Sequence, residues 1–97
     1  MIIEWLRFQL PPEKLEQFIL RDEEVWTAGL RSFPGFLGKE ILVDPVQNEV
    51  VMLIRWETKE LWKSVPQSTI NELDAQMGEF QMPIAESREY QVGKFLH

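Results

Sequence analysis

The strongest constraint in this sequence is the stretch from Val50 to Gly78. It opens with Val50-Val51-Met52-Leu53-Ile54, an unbroken apolar run. A strand that is apolar on both faces must be covered on both faces. The stretch continues through Arg55-Trp56-Glu57-Thr58 into a helical pattern that starts at Lys59 and ends at Gly78. Helices of the same chain can cover one face of such a strand. A second copy of the protein is expected to cover the other, so the first expectation is a homodimer.

The rest of the chain supplies a compatible set of elements. Ile2–Leu10 reads as a strand, with Ile2, Leu6, Phe8 and Leu10 on one face and Glu4 as the exception. Ile3, Trp5, Arg7 and Gln9 fall on the other face, which suits an interface or a pocket wall. Pro11-Pro12 ends this strand and seeds a helix from about Pro12 to Arg31. Leu15, Phe18, Ile19, Asp22, Val25, Trp26, Gly29 and Leu30 follow its period. Asp22 is the misfit on that stripe: either the stripe bends and the carboxylate reaches water, or the acid lines a cleft. Phe33-Pro34-Gly35-Phe36 ends the helix in a type II turn. Leu37–Val43 and Glu49–Trp56 then form a hairpin around Asp44-Pro45-Val46-Gln47-Asn48. Lys39, Ile41 and Val43 share one face of its first strand.

Thr58 is placed to cap the second helix. Pro66 must interrupt that helix, and the capping-box pattern Thr69-Ile70-Asn71-Glu72 predicts a restart near Thr69. Gly78 suits the C′ position. Glu79–Glu86 reads as a linker and Ser87–Leu96 as a last strand. The order β-α-β-β-α-β predicts an α+β, ferredoxin-like fold. It has a four-stranded antiparallel sheet with two helices on one face.

At 97 residues the chain fits one domain, residues 1–97. It has no cysteine, which removes disulfides, thiolate metal sites and a cysteine nucleophile. No signal-peptide pattern is read at its start, no apolar run approaches a bilayer span, and a cytoplasmic location is expected, with no membrane partner. The net charge of −6 argues against nucleic-acid binding. No metal cluster, phosphate-cradling glycine loop or nucleophile triad is present, so neither metal nor cofactor is expected.

Two constellations remain. Trp5, Trp26, Trp56 and Trp62 are core and interface residues on the plainest reading. On the functional reading, Trp26 and Trp62 close an apolar cleft for a flat ligand against Leu6, Phe8 and Ile54. Ser64, Asn71 and Asp74 are candidate partners for an indole N–H. Arg7 and Arg55 lie in strands and need partners among Glu4, Glu40, Glu89 and Asp74. The plain reading is interface or rim ion pairs. The alternative makes Arg55 an anion or carbonyl anchor and Asp74 a desolvated base, the weak catalytic candidates.

The element order, with Phe33-Pro34-Gly35-Phe36 before the second strand and an apolar third strand ending in Trp56, resembles the dimeric α+β barrel superfamily. Its best-known branch is the antibiotic-biosynthesis-monooxygenase-like family. Trp56-Glu57-Thr58-Lys59-Glu60-Leu61-Trp62-Lys63-Ser64-Val65-Pro66 and Asp74-Ala75-Gln76-Met77-Gly78 resemble an uncharacterised, mainly cyanobacterial group within it. The resemblance implies a homodimer with face-to-face sheets and a cleft between sheet and helices in each subunit. It implies a small apolar or aromatic ligand and a monooxygenase-like enzyme working without metal or flavin. A non-catalytic structural dimer or ligand sensor is the other reading. The haem-degrading branch is similar in fold only. It needs a histidine on the second helix, which Lys59–Met77 lacks, and a first-strand asparagine, which Ile2–Leu10 lacks. The sole histidine is His97.

Overall fold

A computed structural model describes the whole chain, Met1–His97. Strand β1 spans Ile2–Gln9, β2 Phe36–Asp44, β3 Glu49–Trp56 and β4 Glu86–Gln91. They form one four-stranded sheet in the order β2-β3-β1-β4. All three neighbouring pairs are antiparallel. The β-α-β-β-α-β order and the ferredoxin-like α+β fold expected from the sequence are therefore present.

Helix α1 covers residues 15–30, after a 3-10 turn at Pro12–Lys14. It is not uniform: an α segment Leu15–Asp22 passes through a π turn, Glu23–Thr27, into Ala28–Leu30. Helix α2 is Lys59–Lys63, and the Thr58 hydroxyl caps it by accepting from the Leu61 N–H at 3.1 Å. Helix α3 is Gln67–Gln76. It starts directly after Pro66, not at Thr69: an extended proline already supplies the boundary, so the capping box is not used. Gly78 has φ +57°, the left-handed value that ends a helix. The expected linker after it is partly structured, because a 3-10 turn at Gly78–Phe80 buries Phe80.

The sheet has two unlike faces. On the helix side, Val50, Met52, Ile54 and Trp56 of β3 are all buried and form the floor of the core with Phe8. Phe18, Val25 and Leu30 of α1 and Leu73 of α3 cover this floor. The other side carries the row Glu40–Leu53–Trp5–Arg88, flanked by Leu42–Val51–Arg7–Glu86 and Gly38–Arg55–Ile3–Tyr90. No element of the chain covers that side.

Register explains two local details. Between Phe36 and Gly38 the β2–β3 ladder slips by one residue, a bulge at Leu37. Beyond it Lys39 stands opposite Ile54 and faces the helices. At the other edge the expected strand to Leu96 stops at Gln91. Gln91 pairs with Ile2, the first residue of β1, so no partner remains for the residues that follow. Only the Val92 N–H continues the ladder, donating to the Met1 carbonyl at 2.9 Å.

Candidate functional site

Between the floor of the sheet and helices α1, α2 and α3 lies a cavity of about 440 Å³. Its walls are mostly apolar. Leu6 and Phe8 come from β1, Met52, Ile54 and Trp56 from β3, Trp26 from α1, and Trp62 from α2. The five sequence-selected residues Leu6, Phe8, Trp26, Ile54 and Trp62 thus stand around one space. Asp74 also lies on its lining, at the exposed surface of α3, where Gln81 Nε2 donates to its backbone carbonyl at 2.7 Å.

Arg55 does not join them. Its neighbours Ile54 and Trp56 face the helices, so strand alternation sends Arg55 to the open face. There it pairs with Glu40 at 3.4 Å. Arg7 lies on the same face and pairs with Glu49 at 3.5 Å and Glu86 at 3.3 Å. Neither arginine reaches the cavity. Both make the ion pairs of the plainer reading, Arg7 with partners other than those expected.

The charged side chains of the cavity that are withdrawn from solvent come from β1, β2 and α1. Glu4, Ile54 and Lys39 form one row across β1, β3 and β2 on the helix side. Lys39 reaches α1 and forms an ion pair with Asp22, the misfit of the helical stripe. The two side chains are only 3% and 4% exposed. Asp22 therefore does not reach water. Burial pushes its carboxyl above the ordinary range, and the Lys39 charge offsets this only in part. Glu4 is likewise pushed up by burial, with smaller opposing effects from Trp56, Lys39 and Lys63. The Trp56 indole N–H is buried and makes no hydrogen bond. It lies near enough to Glu4 to favour the ionised carboxylate without bonding geometry. Ser64, Asn71 and Asp74 do not satisfy it.

Sequence reasoning missed Glu4, Lys39 and Trp56 as site residues. For Glu4 and Asp22 a signal was visible, an acid on an apolar stripe in each case. For Lys39 it was the shared face with Ile41 and Val43. Next to the cavity a more polar recess, of about 420 Å³, shares Glu4, Leu6, Trp62 and Ile84 with it and adds Lys63. The Lys63 ammonium stands 3.9 Å from the Trp62 ring centroid.

Glu4 gives a pH-dependent expectation. Its folded pKa is raised, so its contribution is fully present when it is protonated and is lost as pH rises through the folded value. Glu4→Gln keeps a neutral side chain at every pH. Urea midpoints should therefore favour Glu4→Gln over the parent at pH 7, and the gap should close below about pH 4. A gap that widens in acid would refute burial as the dominant influence on Glu4.

A four-stranded antiparallel sheet with helices on one face and an apolar cavity between the two layers defines a small α+β domain of ferredoxin-like fold. Residues 1–69 match the antibiotic biosynthesis monooxygenase family, and the chain belongs to that family. No curated protein matches it in sequence. Among solved structures it is similar to SnoaB, a cofactor-independent oxygenase from Streptomyces nogalater. That pair has 17% identity and a TM-score of 0.66 over 98% of this chain and 95% of the other. It is similar to a dimeric ferredoxin-like protein from an uncultured marine organism, at 18% identity and TM-score 0.67 over 99% and 91% of the two chains. It is also similar to MhuD, a haem degrader from Mycobacterium tuberculosis with two haems bound in its active site, at 19% identity and TM-score 0.68 over all of both chains. At these identities the likeness is one of fold. The cavity here does not suit a histidine-ligated haem: no histidine lines it, and His97 is exposed with its ring against Phe95 at 5.9 Å. No helix is long and apolar enough to cross a membrane.

Proposed function

We propose that residues 1–97 form one subunit of a homodimeric α+β barrel whose cleft binds a small apolar or aromatic molecule. The proposed reaction is oxygenation without a bound cofactor. The supporting observation is the cavity itself, an apolar space with a half-buried, protonatable Glu4 on its floor. Family membership supports the same reading, as does the oxygenase among the solved structures of this fold. A cytoplasmic location belongs to the proposal, in keeping with a chain that has no cysteine.

The chemistry suits an electron-rich ring system with an acidic C–H or O–H. Glu4 takes that proton, and a carboxyl with a raised pKa is a better base near neutral pH than an ordinary one. The resulting carbanion passes its electrons to dioxygen, the second substrate. For an anthrone-type methylene the balance is CH₂ plus O₂ giving C=O plus H₂O. Trp26 and Trp62 hold the ring plane, and the unpartnered Trp56 N–H is available to an oxygen acceptor on the ligand. Asp74, on the α3 side of the lining, is proposed to orient polar substituents.

Two measurements test this reading. Dioxygen uptake with a hydroxylated anthrone as probe should exceed background and fall to background in Glu4→Gln. Binding without uptake would instead favour the non-catalytic module. Trp62→Ala should weaken binding of 2-naphthol, read by tryptophan fluorescence, by about tenfold or more, a loss of ~1.4 kcal/mol. Dimerisation should change less. The reverse ranking would move Trp62 from the cleft to the interface.

A further inference from the structure

Lys39 is the one lysine of this chain whose side chain is buried, at 3% exposure, and it lines the cavity. Lys14, Lys59, Lys63 and Lys94 are all exposed. The Lys39 Nζ makes a single hydrogen bond, to Asp22 Oδ2, although an ammonium carries three donors. The buried neighbour is a carboxylate, the group that can take a proton from the amine and return it. Across Ile54 stands a second acid, Glu4. Around them are the aromatic walls Trp26 and Trp62 and the free Trp56 N–H. An amine on the wall of a mostly apolar cavity, beside a proton carrier, is an arrangement that forms imines.

We propose that Lys39 is a nucleophile that condenses with the carbonyl group of an aromatic aldehyde or ketone held in the cleft. The inference rests on the reading of the cleft as an aromatic-binding site. Asp22 first takes a proton from the Lys39 ammonium. The freed lone pair forms the C–N bond while the carbonyl π pair moves to oxygen, and Asp22 returns its proton there. A second proton passes by the same carboxylate from nitrogen to the hydroxyl, which leaves as water. The sum is an ammonium plus a carbonyl giving a protonated imine plus water, with Asp22 restored as the carboxylate facing the iminium. No external oxidant or reductant enters the condensation. Burial of Asp22, which favours its protonated form, supports the shuttle.

The test is reductive trapping of the intact protein with 1-naphthaldehyde and cyanoborohydride at neutral pH, followed by peptide mass mapping. The expected result is a single naphthylmethyl adduct on Lys39 that is lost in Lys39→Arg and formed more slowly in Asp22→Asn. Thermal denaturation checks whether each variant is folded. Lys39→Arg keeps a cation beside Asp22 and is the variant chosen to retain the fold. If neither variant folds, competition settles the matter: 2-naphthol must protect Lys39 of the parent protein. Adducts confined to the exposed lysines, or to the N-terminus, overturn the proposal. If 2-naphthol binds and Lys39 stays unmodified, the nucleophile is wrong and the cleft reading stands. If 2-naphthol does not bind either, both fall.

Discussion

Leu53→Glu is expected to leave the protein monomeric or insoluble, as read by size-exclusion chromatography with light scattering. Leu53 lies at the middle of the sheet face that no element of the chain covers, between Trp5 and Glu40. Val51, Ile3 and Leu42 extend the apolar surface around it. The arginines there pair within the face and so need no partner charge. In the proposed dimer each large side chain buried at this face contributes ~1.5–3 kcal/mol. An obligate interface of this kind buries on the order of 2,000 Å² or more. A glutamate at the centre would have to give up its hydration with no cation opposite it. Its self-association constant should then fall by several orders of magnitude. A soluble, folded and dimeric Leu53→Glu would sink the proposed interface.

Asp22→Ala should be the most destabilising change within the cleft. It leaves Lys39 buried with no counter-charge, and removing one partner of a buried pair costs about 3–5 kcal/mol. That is a large share of the ~5–15 kcal/mol that holds a typical domain together. Urea denaturation should show either a much lower midpoint or no folded baseline. The double change Asp22→Leu with Lys39→Met should recover most of the loss, because it removes both charges and fills the same space. This cycle separates the worth of the pair from the harm of an orphaned charge. A loss of less than about 1 kcal/mol for Asp22→Ala would mean that water reaches Lys39 in solution. A double variant no better than the single would mean that the geometry of the pair matters beyond its charge.

What the sequence made legible follows the range of the signals. Thr58 as a cap, Pro66 as a break and Gly78 as an end are decided within a few residues, and all three hold. The hairpin was equally local: the Asp44 carboxylate accepts from the Val46 and Gln47 N–H groups at 3.0 and 3.1 Å. The last strand ends before its alternation does, because its end depends on where β1 begins, which alternation in β4 cannot reveal. The choice between the two readings of Arg55, rim ion pair or cleft anchor, was open for a related reason. An apolar run such as Val50–Ile54 carries no period-two signal, so the face of each residue was open until the register was known. The polar floor of the cavity needed three elements at once. Glu4 and Asp22 each stood out as misfits, but nothing in the sequence joined Asp22 to Lys39 across the intervening turn.

The bulge at Leu37 has a consequence for how such a cleft can change. The ladder slips by one residue there, and every side chain that follows in β2 takes its face from that slip. If the same residues paired in an unbroken ladder from Phe36, Leu37 would stand opposite Arg55, Lys39 would turn outward opposite Leu53, and Glu40 would turn inward opposite Met52. Absorbing one residue at the bulge is what lets β2 offer the cleft a basic group and not an acidic one. Deleting Leu37 should therefore leave Lys39 opposite Ile54, because the residues beyond the bulge keep their partners. Smoothing the bulge with every residue kept would instead reverse the sign of the charge that β2 offers the cleft, with strand order and helices unchanged.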